Sequence, residues 1–267
     1  MRRLSLAPQT IADTPPDRFV RIARAAGFDH VGLRTMTGDP ATAIGPAAIA
    51  DVATARTVRA ILDGEGVAAV ELEFVTLRPT TDIAACRAGL ERGAMLGTSI
   101  LVAASDDRDV ARRNDAFAAL AALAADHGHR LAIEFVPWCA VDTVARAADL
   151  ARAAGHGAGI LVDAIHLARG GGGASDIASL DPALLATFQI CDAPALAPTD
   201  RAEIYAAARD ERLDPGVGGL AIAAMLAALP PDSPISVEVP SLSRVSAIGA
   251  TAHVGRVRAA TLALLQP

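Results

Sequence analysis

Four apolar runs in the second half of the chain end on a side chain that offers an oxygen. Leu131-Ala132-Ile133 leads into Glu134, Ile160-Leu161-Val162 into Asp163, and Ile235-Ser236-Val237 into Glu238. The fourth, around Phe188, carries Gln189 and closes on Asp192. A carboxylate closing a buried strand needs a compensating partner. None of the 24 basic residues is a lysine, and no arginine lies adjacent in sequence to these acids. A shared divalent cation is then the economical compensation. Glu134, Asp163, Gln189 and Glu238 are separated by 29, 26 and 49 residues, the first two gaps being about one strand-plus-helix unit each. Each position alone reads equally well as a helix N-cap; four together point to one cation. Three carboxylates and an amide oxygen make an all-oxygen site, which suits Mn²⁺ or Mg²⁺ better than Zn²⁺.

The composition removes other chemistries. Without lysine there is no Schiff-base or pyridoxal-phosphate anchor and no P-loop lysine. Three cysteines (Cys86, Cys139, Cys191), far apart and without a C-x-x-C pair, argue against a disulfide scaffold or a cysteine zinc site and fit a reducing cytoplasm. A net charge of −6 with no basic block argues against binding nucleic acid or an anionic membrane surface. No apolar run approaches 18 residues, so no membrane span is expected, and the first residues do not read as a signal peptide.

The elements that must position these side chains follow a regular alternation. Short runs rich in Val, Ile, Leu and Phe at 4–7, 30–33, 67–74, 99–103, 130–135, 159–162, 188–191 and 235–239 read as strands. Amphipathic segments such as 17–26 and 107–127 read as helices between them. Eight such units in 267 residues, about 33 each, predict a single (β/α)8 TIM barrel, an α/β fold with a parallel eight-stranded core, over residues 1–267. Leu6-Ala7-Pro8-Gln9 follows the first strand where a dinucleotide fold would place G-x-G-x-x-G. The glycine run at 169–173 and the irregular stretch at 192–198 fall on the barrel's C-terminal rim, where active-site loops belong, and an extra helical segment at 200–212 accounts for the long gap before Glu238.

With these motifs the sequence resembles the xylose-isomerase-like TIM barrels, the sugar phosphate isomerase/epimerase superfamily, over nearly its whole length. The resemblance is carried by Ala132-Ile133-Glu134-Phe135, Val162-Asp163-Ala164-Ile165-His166, Gln189-Ile190-Cys191-Asp192 and Val237-Glu238-Val239-Pro240. It implies Glu134, Asp163, Gln189 and Glu238 as ligands of one divalent metal and His166 as the residue holding a substrate oxygen. Gln in place of the commoner His at 189 resembles the hydroxypyruvate isomerase and dehydroshikimate dehydratase branches. Two features depart from the pattern. Ala195-Leu196-Ala197 stands where hydroxypyruvate isomerases carry an arginine, and the usual Pro-Gly-Glu-Gly turn is Pro215-Gly216-Val217-Gly218.

The implied activity is that of an isomerase or epimerase on a small sugar or α-hydroxy ketone. It would pass through an enediolate, with Glu134 and Glu238 as the acid–base pair and His166 assisting. The alternative is a dehydratase of a cyclic β-hydroxy ketone, such as a dehydroshikimate-like or keto-inositol compound. A non-catalytic binding barrel and an endonuclease-IV-like nuclease rank below both. Arg34, Trp138 and Arg169 are candidate substrate-binding residues beside His166. Glu71 and Glu73 share one face of the third strand and read as hydrogen-bonded barrel positions. The expected partner is a small hydroxy-keto compound, a neutral polyhydroxy ketone being favoured, and apolar exterior helices leave room for a homo-oligomer.

Overall fold

The computed structural model describes residues 2–36 and 48–266. Eight parallel strands close into a barrel in sequence order. They are β1 (Leu4–Leu6), β2 (His30–Leu33), β3 (Ala68–Leu77), β4 (Ile100–Ser105), β5 (Arg130–Glu134), β6 (Gly159–Asp163), β7 (Leu185–Ile190) and β8 (Ile235–Val237). Closure is direct, Leu4, Ser5 and Leu6 pairing with Ile235, Ser236 and Val237. The expected TIM barrel is thus the observed fold. Among the described residues no helix is long and apolar enough to cross a membrane.

The first five helices are α1 (Pro16–Ala25), α2 (Val52–Glu65), α3 (Arg87–Leu96), α4 (Val110–Asp126) and α5 (Val144–Ala154). After β6 come two short helices, α6 (Ala164–Arg169) and α7 (Ala174–Ser179). α8 (Arg201–Asp210) and α9 (Ile222–Ala228) separate β7 from β8, and α10 (Leu242–Ile248) and α11 (Ala250–Leu265) follow. Their starts are set locally: Asp51, Asp109 and Thr143 accept the free N–H groups opening α2, α4 and α5.

Alternation along each strand sorts side chains between two compartments. Leu131, Ile133, Ile160 and Val162 turn outward to the helices. Val102, Ala132, Leu161 and Ala186 form a separate apolar cluster from β4 to β7. The residues two positions beyond Ala132 and Leu161 are Glu134 and Asp163, so both acids sit on the inward face. The opposite arc is polar. Ser236 on β8 donates across the barrel to Glu71 on β3 (3.0 Å), and Gln189 on β7 donates to Glu73 (3.2 Å). Gly32 makes room for these acids: a Cβ there would lie 3.0 Å from Pro8 and 3.6 Å from both Glu71 Oε2 and Glu73 Oε1.

Candidate functional site

Asp163 ends β6 and also caps α6. Its Oδ1 accepts from the backbone N–H of Ile165 (2.8 Å) and His166 (3.2 Å). Two readings of this residue therefore hold at once, because the cap occupies one oxygen and leaves Oδ2 for the barrel interior. The cap also fixes His166 in the first turn of α6, with Nε2 3.6 Å from Glu134 Oε1. Glu134, Asp163 and His166, all buried, each present a ligand atom within 4.8 Å of the others. This grouping differs from the expected set in taking His166 as its third member. Gln189 and Glu238 lie beside it with other commitments. Gln189 Nε2 donates to Glu73 Oε1 and Glu238 Oε1 (3.2 and 3.4 Å), leaving its own Oε1 buried and without a partner.

No arginine lies beside these acids in sequence, but the fold brings one to them, Arg212. Its Nη1 donates to Asp163 Oδ2 (2.6 Å) and its Nη2 pairs with Glu238 Oε2 (2.8 Å). Nη1 also reaches the Glu238 carbonyl (3.2 Å), and Nε donates to the Ala208 carbonyl (2.5 Å). The guanidinium is 4% exposed. It arrives from beyond the inserted α8, by a return strand that pairs Leu213 with Asp192 through two backbone hydrogen bonds (2.8 and 3.0 Å). Asp192 then gathers the following turn, its carboxylate accepting from the N–H of Gly216, Gly218 and Leu220 (each 3.0 Å). Arg212 Nη1 also stands 3.5 Å from the Sγ of Cys191, 21 residues before it in sequence.

The charges decide what the site can hold. Burial pushes the Glu134 carboxyl well above the usual range, reinforced by the negative charges of Glu238 and Asp163. Glu73 is pushed well up in the same way, by burial and then Glu238. Glu238 is raised by burial, with Arg212 pulling it back. Burial works on Asp163 too, but Arg212, His166 and the cap hydrogen bonds outweigh it and hold the group below its ordinary value. Burial pushes the His166 imidazole down to about 4, so the ring is neutral near pH 7. Among the described residues, five buried acids (Glu71, Glu73, Glu134, Asp163, Glu238) share the barrel interior with two buried guanidiniums (Arg34, Arg212), more acid than the arginines can balance. A divalent cation would offset part of that excess, and the buried His166 Nδ1 and Gln189 Oε1, without partners among the described residues, leave donor capacity unspent.

Above these groups opens a cavity of about 200 Å³. Glu134, His166, Gln189, Glu238, Arg34 and Trp138 line it. The Trp138 ring stands edge-on to His166 (centroids 5.1 Å, 86°) and to Tyr205 of α8 (5.4 Å, 68°). Arg169 is not among the residues lining this cavity; its Nη2 donates to the Pro194 carbonyl (2.8 Å), tying the end of α6 to the loop after β7. Glu73, expected as a barrel position, lines the cavity, as do Gln9, Tyr205 and Arg212, which sequence reasoning did not single out. Arg212 was read only as the end of the extra helical segment at 200–212.

Solved structures share this architecture. The IolI protein with a bound zinc atom superposes with a TM-score of 0.79 at 17% identity, 98% of each chain being covered. D-allulose 3-epimerase from Methylomonas sp. in complex with D-allulose gives 0.71 at 16%, covering 97% of this chain and 95% of that one. The probable 3-DHS dehydratase AsbF from Bacillus anthracis gives 0.75 at 15%, covering 98% and 99%. At such identities the likeness shows the fold. No curated protein matches the sequence. The family model described as xylose isomerase-like TIM barrel matches residues 20–257, and the chain belongs to that family.

Proposed function

We propose that the protein is a divalent-cation-dependent isomerase or epimerase of small α-hydroxy ketones. The observation that carries this reading is the convergence of Glu134, Asp163 and His166 within 4.8 Å, with Glu134 and His166 lining a cavity. Glu134, Asp163 and His166 would hold the cation, with Gln189 and Glu238 beside them; the mixed oxygen and imidazole donors favour Mn²⁺ over Mg²⁺ and admit Zn²⁺. Bound there, a cation supplies polarisation of the substrate carbonyl, which acidifies the neighbouring C–H. Glu238 takes that proton on Oε1, its Oε2 being fixed by Arg212. Glu134, on β5, returns a proton from another direction; burial favours its protonated form. His166, neutral and seated against Trp138, orients a substrate oxygen.

A second reading, dehydration of a cyclic β-hydroxy ketone, is favoured by the two aromatic side chains in the cavity lining, Trp138 and Tyr205, which offer apolar surface to a ring. One experiment tests both. The protein is incubated in D₂O with a panel of hydroxy ketones, with and without Mn²⁺. Isomerisation predicts deuterium at the carbon next to the carbonyl only when metal is present, whereas dehydration predicts a new enone or aromatic absorbance. Undiminished exchange in metal-free protein would overturn the cation-dependent reading.

A further inference from the structure

Arg34 is the second buried guanidinium of the cavity, and its hydrogen bonding is incomplete. The side chain follows β2, is 4% exposed and lines the cavity. Its Nη2 donates to Gln9 Oε1 (2.6 Å). The Gln9 amide is itself oriented, because its Nε2 donates to the Arg209 carbonyl at the end of α8 (3.2 Å). Among the described residues, Arg34 Nε and Nη1 have no partner. Glu73 is the first opposing charge to act on Arg34, yet Glu73 Oε1 accepts from Gln189 instead. A buried donor left unpaired is costly, and a buried charge without hydrogen bonds more so. A ligand that completes the guanidinium fork removes that cost.

The position says what the ligand must span. In a closed barrel ordered β1 to β8, β2 lies opposite β6, so Arg34 and the Asp163–His166 corner stand on opposite sides of the opening. A molecule reaching both carries an anionic end and a hydroxy-ketone end. A carboxylate suits the anionic end better than a phosphate. Its two coplanar oxygens match the guanidinium fork, and it brings one charge rather than two towards Glu73 and Glu238.

We infer that Arg34, aimed by Gln9, is an anion subsite for a carboxylate, and that the substrate is a small hydroxy-keto acid. This replaces the neutral polyhydroxy ketone that the sequence favoured. The hydroxy-ketone end rests on the proposed cation-dependent proton transfer; the carboxylate end does not.

The test is equilibrium binding to full-length protein stripped of metal and then freed of chelator. Neither a cation nor a chelator carboxylate then intervenes. The probes are glycerate, glycerol, which lacks the carboxylate, and inorganic phosphate. Glycerate is expected to bind at least about 10-fold more tightly than glycerol. Arg34→Gln erases that difference, and Arg34→Lys keeps part of it. Gln9→Met, which keeps the charge but removes its orienting acceptor, weakens glycerate by about 3-fold or more. Because Gln9→Met leaves the guanidinium in place, it decides the matter even if Arg34→Gln misfolds. Equal affinity for glycerate and glycerol, an undiminished preference in Arg34→Gln or Gln9→Met, or tighter binding of phosphate than of glycerate would each overturn the subsite. Failure of the cation reading would show instead as metal-independent deuterium exchange, leaving these affinities unchanged.

Discussion

Arg212 and Arg34 line the same cavity, are equally buried at 4% exposure, and are used in opposite ways. Arg212 spends its donors on the protein: two carboxylates and two backbone carbonyls accept from it. Among the described residues Arg34 has one acceptor, Gln9, and two nitrogens without any. Burial and charge are alike, so the difference lies in what surrounds each fork. A fully spent guanidinium fixes the geometry of its neighbours and has little left for a ligand. A half-spent one is stable enough to be buried and still open to recognition.

The largest expected effect follows from removing the spent member. Arg212→Met leaves Asp163 and Glu238 buried without their counter-charge and should cost about 3–5 kcal/mol in urea unfolding. Arg34→Met removes one hydrogen bond beside Glu73, whose burial already favours the neutral acid. It should cost about 1 kcal/mol or less. Equal losses in the two variants would break the comparison.

A cation should sharpen it. Mn²⁺ at 100 times its dissociation constant is expected to stabilise the native protein by about 2.7 kcal/mol, read as a rise in the unfolding midpoint that chelator reverses. At that same Mn²⁺ concentration the gain in Arg212→Met should be larger, because the ion then supplies compensation that the guanidinium no longer gives and binds more tightly. In Arg34→Met it should match that of the unaltered protein. A smaller gain in Arg212→Met would mean that Arg212 positions the acids for the cation rather than standing in for its charge.

Asp192→Asn tests how Arg212 is delivered. The carboxylate gathers the N–H groups of Gly216, Gly218 and Leu220, while its backbone pairs with Leu213. An amide can turn only one accepting oxygen to that set, so a loss of about 2 kcal/mol is expected, together with a weaker Mn²⁺ response. Loss of stability with an unchanged Mn²⁺ response would separate the turn from the site.

These two arginines also mark where the sequence was legible. The barrel was readable because each strand is a short apolar run between helical segments. Glu134, Asp163, Gln189 and Glu238 were readable because a strand's end has a fixed place on the rim. Limits shifted where pairing rather than composition decides them. β3 continues to Leu77 because Thr76 and Leu77 pair with Ala104 and Ser105 past a register irregularity. β7 begins at Leu185 because Ile160 there offers a partner. Arg212 was not readable because its contacts depend on how the chain returns from α8. Asp163 lies 49 residues before it and the Glu238 carbonyl 26 after, and no local spacing encodes either approach. Arg34 was legible as a candidate because it follows a strand, but its unspent nitrogens emerge only from the packing around it.

The smallest effect is expected at the third arginine, Arg169. Its one hydrogen bond goes to the Pro194 carbonyl from a partly exposed side chain, where water replaces a lost partner at little cost. Arg169→Ala should therefore change unfolding stability by no more than about 0.5 kcal/mol. It should also leave both the Mn²⁺ response and the preference for glycerate over glycerol unchanged. All three arginines carry the same charge near the same rim. A null result at Arg169 beside large ones at Arg212 and Arg34 would show that burial and hydrogen-bond accounting, rather than proximity of positive charge, assign their roles. A fall of more than about 3-fold in glycerate affinity would place Arg169 over the bound ligand and make it part of the anion subsite.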